Sequence, residues 1–191
     1  MRDQILAKAQ QQIRGGGYAS LNFGPIAESL STTRANLHHH FGSKRGLAIE
    51  ATKAYIESNL LFVAELASVW AEDFPGYLSE VESSMLAALG QLGKQSRCLC
   101  GQLVRDADVP EELDQLAKQF GKKKRQLMTD VVVASQRAGV LRPDVDPEFL
   151  SKTATALLLG IAHMADYAED LEAFVIETEG TLASWIEPYR L

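Results

Sequence analysis

Apolar residues recur at helical spacing along the whole chain, and this pattern constrains the fold more than any other feature of the sequence. Ile5, Leu6, Ala9 and Ile13 form the first apolar stripe, and no stretch alternates polar with apolar residues well enough for a β-strand. Glycine, proline and short polar breaks divide the pattern into about nine helices. The sequence therefore predicts an all-α fold.

The predicted helices follow from their capping and breaking residues. Three glycines at residues 15–17 end the first helix, and Asn22 caps a short second one. Thr33 caps a helix that ends before Gly42, and Ser43 caps the long helix that follows. The predicted ranges from there on are 34–40, 44–70, a helix from about 77 to 92 closed by Gly93, 97–107, 111–138, 147–167 and 171–185.

Size and composition narrow the class of protein. The 191 residues are enough for one medium domain, or for a small domain joined to a larger one. Nothing near Met1 resembles a signal peptide, and the most apolar run, residues 154–162, is shorter than the ~20 residues of a membrane span. Cys98 and Cys100 lie too close in sequence to make a disulfide framework. We therefore expect a cytoplasmic protein with no membrane partner.

The charge is unevenly distributed along the chain. Residues 1–53 hold seven Lys or Arg and three Asp or Glu, a net of +4, which leaves −10 for the remainder because the total is −6. A basic head on an acidic body is the asymmetry expected of a protein that meets a polyanion at one end only.

The segment from Thr32 to Leu47 contains three consecutive histidines. On a helix that starts at Arg34, Leu37 and Phe41 share the inward face. This helix and the preceding one, joined by a three-residue turn, have the dimensions of a helix-turn-helix. The outward face carries groups suited to base edges and phosphates, namely Arg34, Ala35, Asn36, His38 and His39.

Two other interpretations of the histidines are available. A metal site is disfavoured, because adjacent helical histidines project about 100° apart and helical metal pairs use positions i and i+4. A solvated polar face on an ordinary helical hairpin remains open. Ser43, Lys44 and Arg45 favour the nucleic-acid interpretation, since free N–H groups, a hydroxyl and two cations at a helix start form a phosphate seat.

This segment resembles the TetR family of transcriptional regulators over about the first quarter of the chain. The matching residues are Ile5, Leu6, Ala9, Gly17, Tyr18, Ile26, Ala27, Glu28, Leu37, His40, Phe41, Gly42, Ser43, Lys44 and Leu47. By position, the resemblance implies base reading by Arg34, Ala35 and Asn36. It implies phosphate contacts at His38, His39 and Lys44 and around the helix caps Asn22 and Thr33.

Three positions depart from the family pattern. A tyrosine is usual at His38, a glycine at Ser31, and a threonine or serine at Leu21. An imidazole at position 38 still donates to phosphate, but its charge depends on pH, so pH-sensitive binding is expected.

The resemblance implies a DNA-binding domain at residues 1–46 and a helical effector-binding and dimerisation domain at 47–191. The expected function is that of a non-enzymatic repressor, without cofactor or metal. It binds a palindromic operator as a homodimer and is released by a small effector of unknown identity or by thiol modification.

The second domain shows two patterns. Residues 150–164 are apolar nearly all round, as in a helix buried on more than one side. With the last helix they imply a two-fold interface formed by Leu150, Ala154, Leu157, Leu158, Ile161, Leu171, Phe174, Val175 and Leu182. The family's effector cavity would be lined by Phe62, Leu66, Trp70, Cys98, Leu103, Phe120, His163 and Tyr167, although the same spacing is typical of an ordinary core.

The two cysteines carry the remaining alternatives. With Ser96 as the cap, Cys98 lies in the first turn of its helix, where the dipole, Lys94 and Arg97 favour a thiolate that senses oxidants or electrophiles. An inert packing role for Cys98 is the competing interpretation. A small all-helical thiol redox enzyme using Cys98 and Cys100 is the alternative function, but a spacing of two on a helix disfavours a disulfide between them. A purely structural helical adaptor leaves the basic head unexplained.

Overall fold

The computed structural model describes residues 1–191, apart from the side chain of Lys94. Across these residues the chain is all-α, as predicted, and its one β-bridge pairs Leu141 with Arg190. None of the described helices has the length and apolarity needed to cross a membrane. The helices are α1 Arg2–Gly16, α2 Phe23–Ser29, α3 Arg34–Phe41, α4 Lys44–Val69, α5 Phe74–Leu92, α6 Leu99–Arg105, α7 Glu111–Arg137, α8 Pro147–Met164, α9 Leu171–Thr178 and α10 Thr181–Ile186.

The chain forms two compact units. The first unit is made of Met1–Leu60 and Arg97–Gly121, and the second of Leu61–Ser96 and Lys122–Leu191, so that the division falls inside α4 and α7. The proposed boundary between a DNA-binding domain at 1–46 and a regulatory domain at 47–191 stays a prediction.

The first unit is built on the apolar faces of α1 to α4, α6 and the start of α7. The stripe Ile5, Leu6, Ala9 and Ile13 is buried, as its helical spacing predicts. It packs in one cluster with the inward residues of the helix-turn-helix and of α4, α6 and α7: Ile26, Ala27, Leu37, Phe41, Leu47, Leu99, Leu103, Leu113 and Phe120.

The second unit has its own core between α5, α7, α8 and α10. Phe74 and Tyr77 stack in this core at 6.2 Å between ring centroids, and the Phe74 N–H donates to the buried Ser135 hydroxyl at 2.7 Å. A smaller cluster forms around Leu86, Leu89 and Ile161.

The prediction of a single last helix at residues 171–185 was wrong, because the chain breaks there into α9 and α10. The buried Glu82 carboxylate of α5 accepts the N–H groups of Gly180 and Leu182, each at 3.1 Å. A carboxylate satisfies the free N–H groups at the start of a helix, so Glu82 provides the N-terminal partner of α10. Gly180, at φ 82°, turns the chain between the two helices.

Candidate nucleic-acid interface

The caps of α2 and α3 fix the helix-turn-helix. The Asn22 side chain accepts the Gly24 N–H at 2.8 Å, and the Thr33 hydroxyl accepts the Asn36 N–H at 3.1 Å, which confirms both predicted caps. Asn22 is also tied to α1, since its N–H donates to the Gln12 side-chain oxygen at 2.7 Å. The side-chain oxygens of Asn22 and Thr33 are therefore occupied by backbone at the helix starts.

The two faces of α3 separate as the helical spacing predicts. Leu37 and Phe41 are buried in the core of the first unit. Arg34, Ala35, His38 and His39 are exposed, and Asn36 is half-buried at the edge of the outward face.

The side chains of Arg34 and Asn36 each lie against a residue of α2 or of the turn that follows it. The Arg34 guanidinium lies over the Cα of Gly24, so close that a Cβ at position 24 would collide with it. The Asn36 side-chain nitrogen donates to the Thr32 hydroxyl at 3.0 Å. Gly24 and Thr32 were not among the predicted site residues, because their contacts with Arg34 and Asn36 are visible only in the side-chain positions.

The three histidines point in different directions. His38 places Nδ1 3.2 Å from the Gly42 carbonyl oxygen, and its ring meets Phe23 edge-on at 4.5 Å. Because a carbonyl only accepts, Nδ1 carries the proton in this contact, and Nε2 is left for a partner. The His39 and His40 rings lie perpendicular to each other, 5.5 Å apart. Among the residues that the structure describes, no three His, Cys, Asp or Glu side chains group as a metal site.

The corner between α3 and α4 is tightly packed. The Ser43 hydroxyl accepts the Gly46 N–H at 3.1 Å, as expected of a cap. A Cβ on Gly46 would collide with the Phe41 carbonyl oxygen, so only glycine fits where α4 approaches the end of α3. Lys44 is half-buried rather than free: its ammonium donates to the Ala19 carbonyl at 2.9 Å and lies 4.7 Å from the centre of the Tyr18 ring.

Ser31 lies at the turn before α3 in the left-handed conformation, at φ 52°. Among the described residues it is the one non-glycine with a positive φ. A positive φ is a physical reason for glycine to be the usual residue at this position in the family that the sequence resembles. Ser31 adopts this conformation although it carries a Cβ.

Cys98 occupies a different position from the predicted one. It is the N-cap residue of α6 rather than a first-turn residue, and Ser96 is not the cap, because its hydroxyl donates to the Gly93 carbonyl at 2.7 Å in the preceding 3-10 turn. Cys98 is half-buried and Cys100 is buried, and neither is in a disulfide. The predicted influence of Lys94 lies outside the described side chains.

Tyr55 of α4 is the immediate polar neighbour of Cys98. Its hydroxyl donates to the Cys98 sulfur at 3.5 Å, and the Arg14 guanidinium lies 5.0 Å from the centre of its ring. Burial, together with the nearby thiols, raises the pKa of Tyr55 well above its usual value despite the opposing charge of Arg14. The phenol therefore stays protonated and available as a donor.

The other end of α6 is hydrogen-bonded to the turn that precedes the helix-turn-helix. The Asp106 carboxylate accepts the Tyr18 N–H at 2.7 Å, in the turn that follows α1. Within the first unit, α6 thus contacts Tyr55 through Cys98 and the turn at Tyr18 through Asp106.

The predicted effector-pocket residues are not gathered in one compact unit. Leu103 and Phe120 are buried in the core of the first unit with Cys98 packed against it, because apolar residues of α6 and α7 close that core. The others belong to the second unit, where Leu66 and Trp70 are half-buried and Phe62, His163 and Tyr167 are exposed. A cleft of about 310 Å³ in that unit has a different lining: Asp73, Pro75, Gly76, Ser79, Ala183, Ile186, Glu187 and Arg190.

The predicted dimer residues divide in the same way. Leu150 and Ala154 of α8 and Leu182 of α10 are fully buried in the core of the second unit, so they have no surface to offer a partner. Ile161 is also buried, whereas the remaining five, Leu157, Leu158, Leu171, Phe174 and Val175, are half-buried. The exposed face of α8 carries Phe149, Ala156, Leu159, Gly160 and Met164. None of these is among the nine predicted interface residues, because a helix that is apolar nearly all round does not reveal which face is outside.

Comparison with known proteins gives a family for the N-terminal segment and a fold for the whole chain. Residues 5–51 match the family model described as bacterial regulatory proteins, tetR family. No curated protein sequence matches the chain.

Three solved structures illustrate the fold. A TetR-family transcriptional regulator from Agrobacterium tumefaciens is 21% identical with a TM-score of 0.86, and the match covers 100% of this chain and 97% of that one. The reduced form of E. coli NemR is 15% identical with a TM-score of 0.82, covering 100% and 96%. A regulator from Saccharomonospora viridis in complex with choline is 21% identical with a TM-score of 0.79, covering 99% and 96%.

Proposed function

From the premise that this chain is a TetR-family transcriptional regulator with a helix-turn-helix DNA-binding domain, we propose that it is a repressor. It binds a palindromic operator as a homodimer and is released by a small effector or by modification of Cys98. The observation that carries the proposal is the division of α3 into a buried apolar face and an outward face of Arg34, Ala35, Asn36, His38 and His39. The proposed role places the protein in the cytoplasm and requires no catalytic activity.

In this proposal α3 enters the major groove of DNA, and residues beside its base-reading positions contact the phosphate backbone of the DNA. Arg34, Ala35 and Asn36 meet base edges, and Arg34 leaves its place over Gly24 to do so. His38 donates to phosphate through Nε2–H in its imidazolium form, since Nδ1–H faces the Gly42 carbonyl and Nε2 of the neutral ring would only accept. One N–H of the Lys44 ammonium is bound to Ala19, and its further N–H donors remain for phosphate. Lys44 and His39 together make the second phosphate contact. Asn22 and Thr33 order the helix starts whose N–H groups approach the backbone.

Dimerisation is proposed through the exposed apolar face of α8. Phe149, Leu159 and Met164 are about half exposed, at 46%, 56% and 57%, and they flank the small residues Ala156 and Gly160 on one face. Small residues allow close approach of a second α8, and the larger side chains bury apolar area around it. A two-fold dimer presents two α3 helices to half-sites about 34–36 Å apart.

Release is proposed to act through α6. Modification of Cys98 breaks its contact with Tyr55 and adds bulk at the N-cap of α6, whose other end holds the Tyr18 N–H through Asp106. The Tyr18 ring in turn contacts the Lys44 ammonium, so a shift of α6 disturbs a proposed phosphate contact. An unreactive effector would act on the same helix.

The proposal is tested by measuring fluorescence anisotropy of labelled duplexes. The probes are duplexes enriched by the wild-type protein from a random library, together with scrambled versions. We expect an inverted-repeat site, and a Lys44→Ala variant whose slope of log K against log salt is smaller by about 0.9 because one phosphate contact is lost. Failure to enrich any duplex, or equal affinity for enriched and scrambled duplexes, contradicts the proposal.

A further inference from the structure

Thr32 lies in the turn between α2 and α3 and makes a side-chain contact with the recognition helix. Its hydroxyl accepts a hydrogen bond of 3.0 Å from the Asn36 side-chain nitrogen. The turn itself is fixed, because the Thr32 N–H donates to the Ala27 carbonyl of α2 at 2.9 Å. The hydroxyl is therefore anchored to α2 and not only to the helix that it contacts.

Asn36 is consequently held at two points. Its backbone N–H donates to the Thr33 hydroxyl at 3.1 Å, and its side chain donates to Thr32. The side chain is half-buried at the edge of the outward face. An exposed asparagine would sample several orientations, whereas this one is ordered before any DNA binds, which lowers the entropy cost of binding.

The contact with Thr32 also determines which atoms of the amide are left for DNA. A carboxamide has two N–H donors and one carbonyl acceptor, and Thr32 takes one N–H. One donor and one acceptor remain, which is the combination that adenine matches in the major groove with N7 and the N6 amino group. Guanine offers two acceptors there, and cytosine and thymine each offer a single polar group.

We propose that Thr32 is a positioning residue that fixes Asn36 to read an adenine in each half-site, an inference that rests on the proposed function. Asn36 makes the base contact, and Thr32 acts only through it. Asn36 is held by two hydrogen bonds, whereas the Arg34 guanidinium lies over the Cα of Gly24.

The test uses the duplex that wild-type protein enriches from a random library, with each half-site position replaced in turn. Asn36→Ala should lose discrimination at one adenine, by about tenfold, because the bidentate contact is gone. Thr32→Val keeps the shape but removes the hydroxyl, so it should weaken binding of this duplex three- to tenfold through lost ordering. Thr32→Ser, which keeps the hydroxyl, should restore the wild-type preference for adenine at that position.

A double-mutant cycle separates positioning from a merely structural role. In the Asn36→Ala background, Thr32→Val should cause no further loss of affinity, and the melting temperature and the salt dependence should match those of the Asn36→Ala parent. A Thr32→Val loss that is equal in both backgrounds overturns the inference, as does an Asn36-dependent preference for a base other than adenine. If Thr32→Val fails to fold, Thr32→Ala takes its place in the cycle. A wild-type protein that enriches no duplex overturns the proposed function and the inference together, whereas an enriched site that ignores both residues overturns the inference alone.

Discussion

The Asp106 carboxylate at the end of α6 accepts a 2.7 Å hydrogen bond from the Tyr18 N–H in the turn that follows α1. The two residues are 88 positions apart in sequence, and the contact joins α6 to the part of the chain that precedes the helix-turn-helix.

Replacement of Asp106 by alanine should therefore destabilise the first unit. The variant loses a charge-assisted hydrogen bond at a partly buried site, and we expect unfolding free energy to fall by about 1–2 kcal/mol. Asp108→Ala is the matched control, because Asp108 is an exposed acid two residues away. Urea denaturation measures both variants. Equal stability of the two would show that the Asp106 contact contributes nothing in solution.

Cys98→Ser should still bind the enriched duplex but should no longer release it after treatment with iodoacetamide or a mild oxidant. The serine keeps the hydrogen-bonding position beside Tyr55 without the reactive sulfur. Cys100→Ser is the control and should respond like the wild type, because Cys100 is buried. Release that persists in Cys98→Ser, or a Cys98 that iodoacetamide does not label in the native protein, would remove the thiol from the mechanism.

Ser31→Gly should stabilise the turn before α3. Serine at φ 52° carries the steric cost of the left-handed region, roughly 1–2 kcal/mol, which glycine avoids. Glycine loses more entropy on folding, by about 0.5–1 kcal/mol, so the net gain expected is about 0.5–1 kcal/mol. Ser31→Ala should show no such gain, since alanine has the same Cβ. A Ser31→Gly variant less stable than the wild type in thermal or urea unfolding would contradict the claim that Ser31 is strained.

The stability of the second unit should fall in alkaline solution because of Tyr77. Burial raises the pKa of this phenol from 10.0 to about 12. Above about pH 10 the unfolded chain releases the proton while the folded chain keeps it, so stability is present below that pH and is lost as pH rises toward 12. Its share is roughly 1.4 kcal/mol per pH unit in this window.

Tyr77→Phe should reduce the slope of unfolding free energy against pH by about that amount between roughly pH 10 and pH 11. Some alkaline slope should remain, since burial also raises the pKa of Tyr55 in the first unit. Identical slopes for Tyr77→Phe and wild type in urea denaturation would mean that the phenol is not protected from solvent.

The recognition segment was predictable because local chemistry decides it. The spacing of Leu37 and Phe41 fixes the inward face of α3, and the side chains of Asn22 and Thr33 can serve only the helix starts beside them. The turn residue Thr32 escaped prediction, since its contact with Asn36 depends on the conformation of the turn.

The part of the chain after the helix-turn-helix was less predictable because distant partners decide its packing. The break in the last predicted helix lies at Gly180, and Glu82, about 100 residues away, accepts the N–H groups at the start of α10. A helix that is apolar nearly all round does not reveal which face is inside, so Leu150 and Ala154 were expected at a dimer surface while Leu159 was not. The same types of apolar side chain line a core and a ligand cavity, so the sequence does not distinguish the two. Leu103 and Phe120, predicted at a cavity, lie in the core of the first unit.

The central claim is that the outward face of α3 reads DNA sequence. Its most direct test is the ratio of affinities for the enriched duplex and a scrambled one, measured for wild type, Arg34→Ala and Asn36→Ala. Arg2→Ala is the control for a lost charge, because Arg2 is an exposed cation of α1 that pairs with Glu50 of α4. We expect each α3 variant to lower the ratio about 5- to 150-fold, the worth of one bidentate base contact, and Arg2→Ala to leave it unchanged. Wild-type affinity and wild-type discrimination in both α3 variants would contradict the claim.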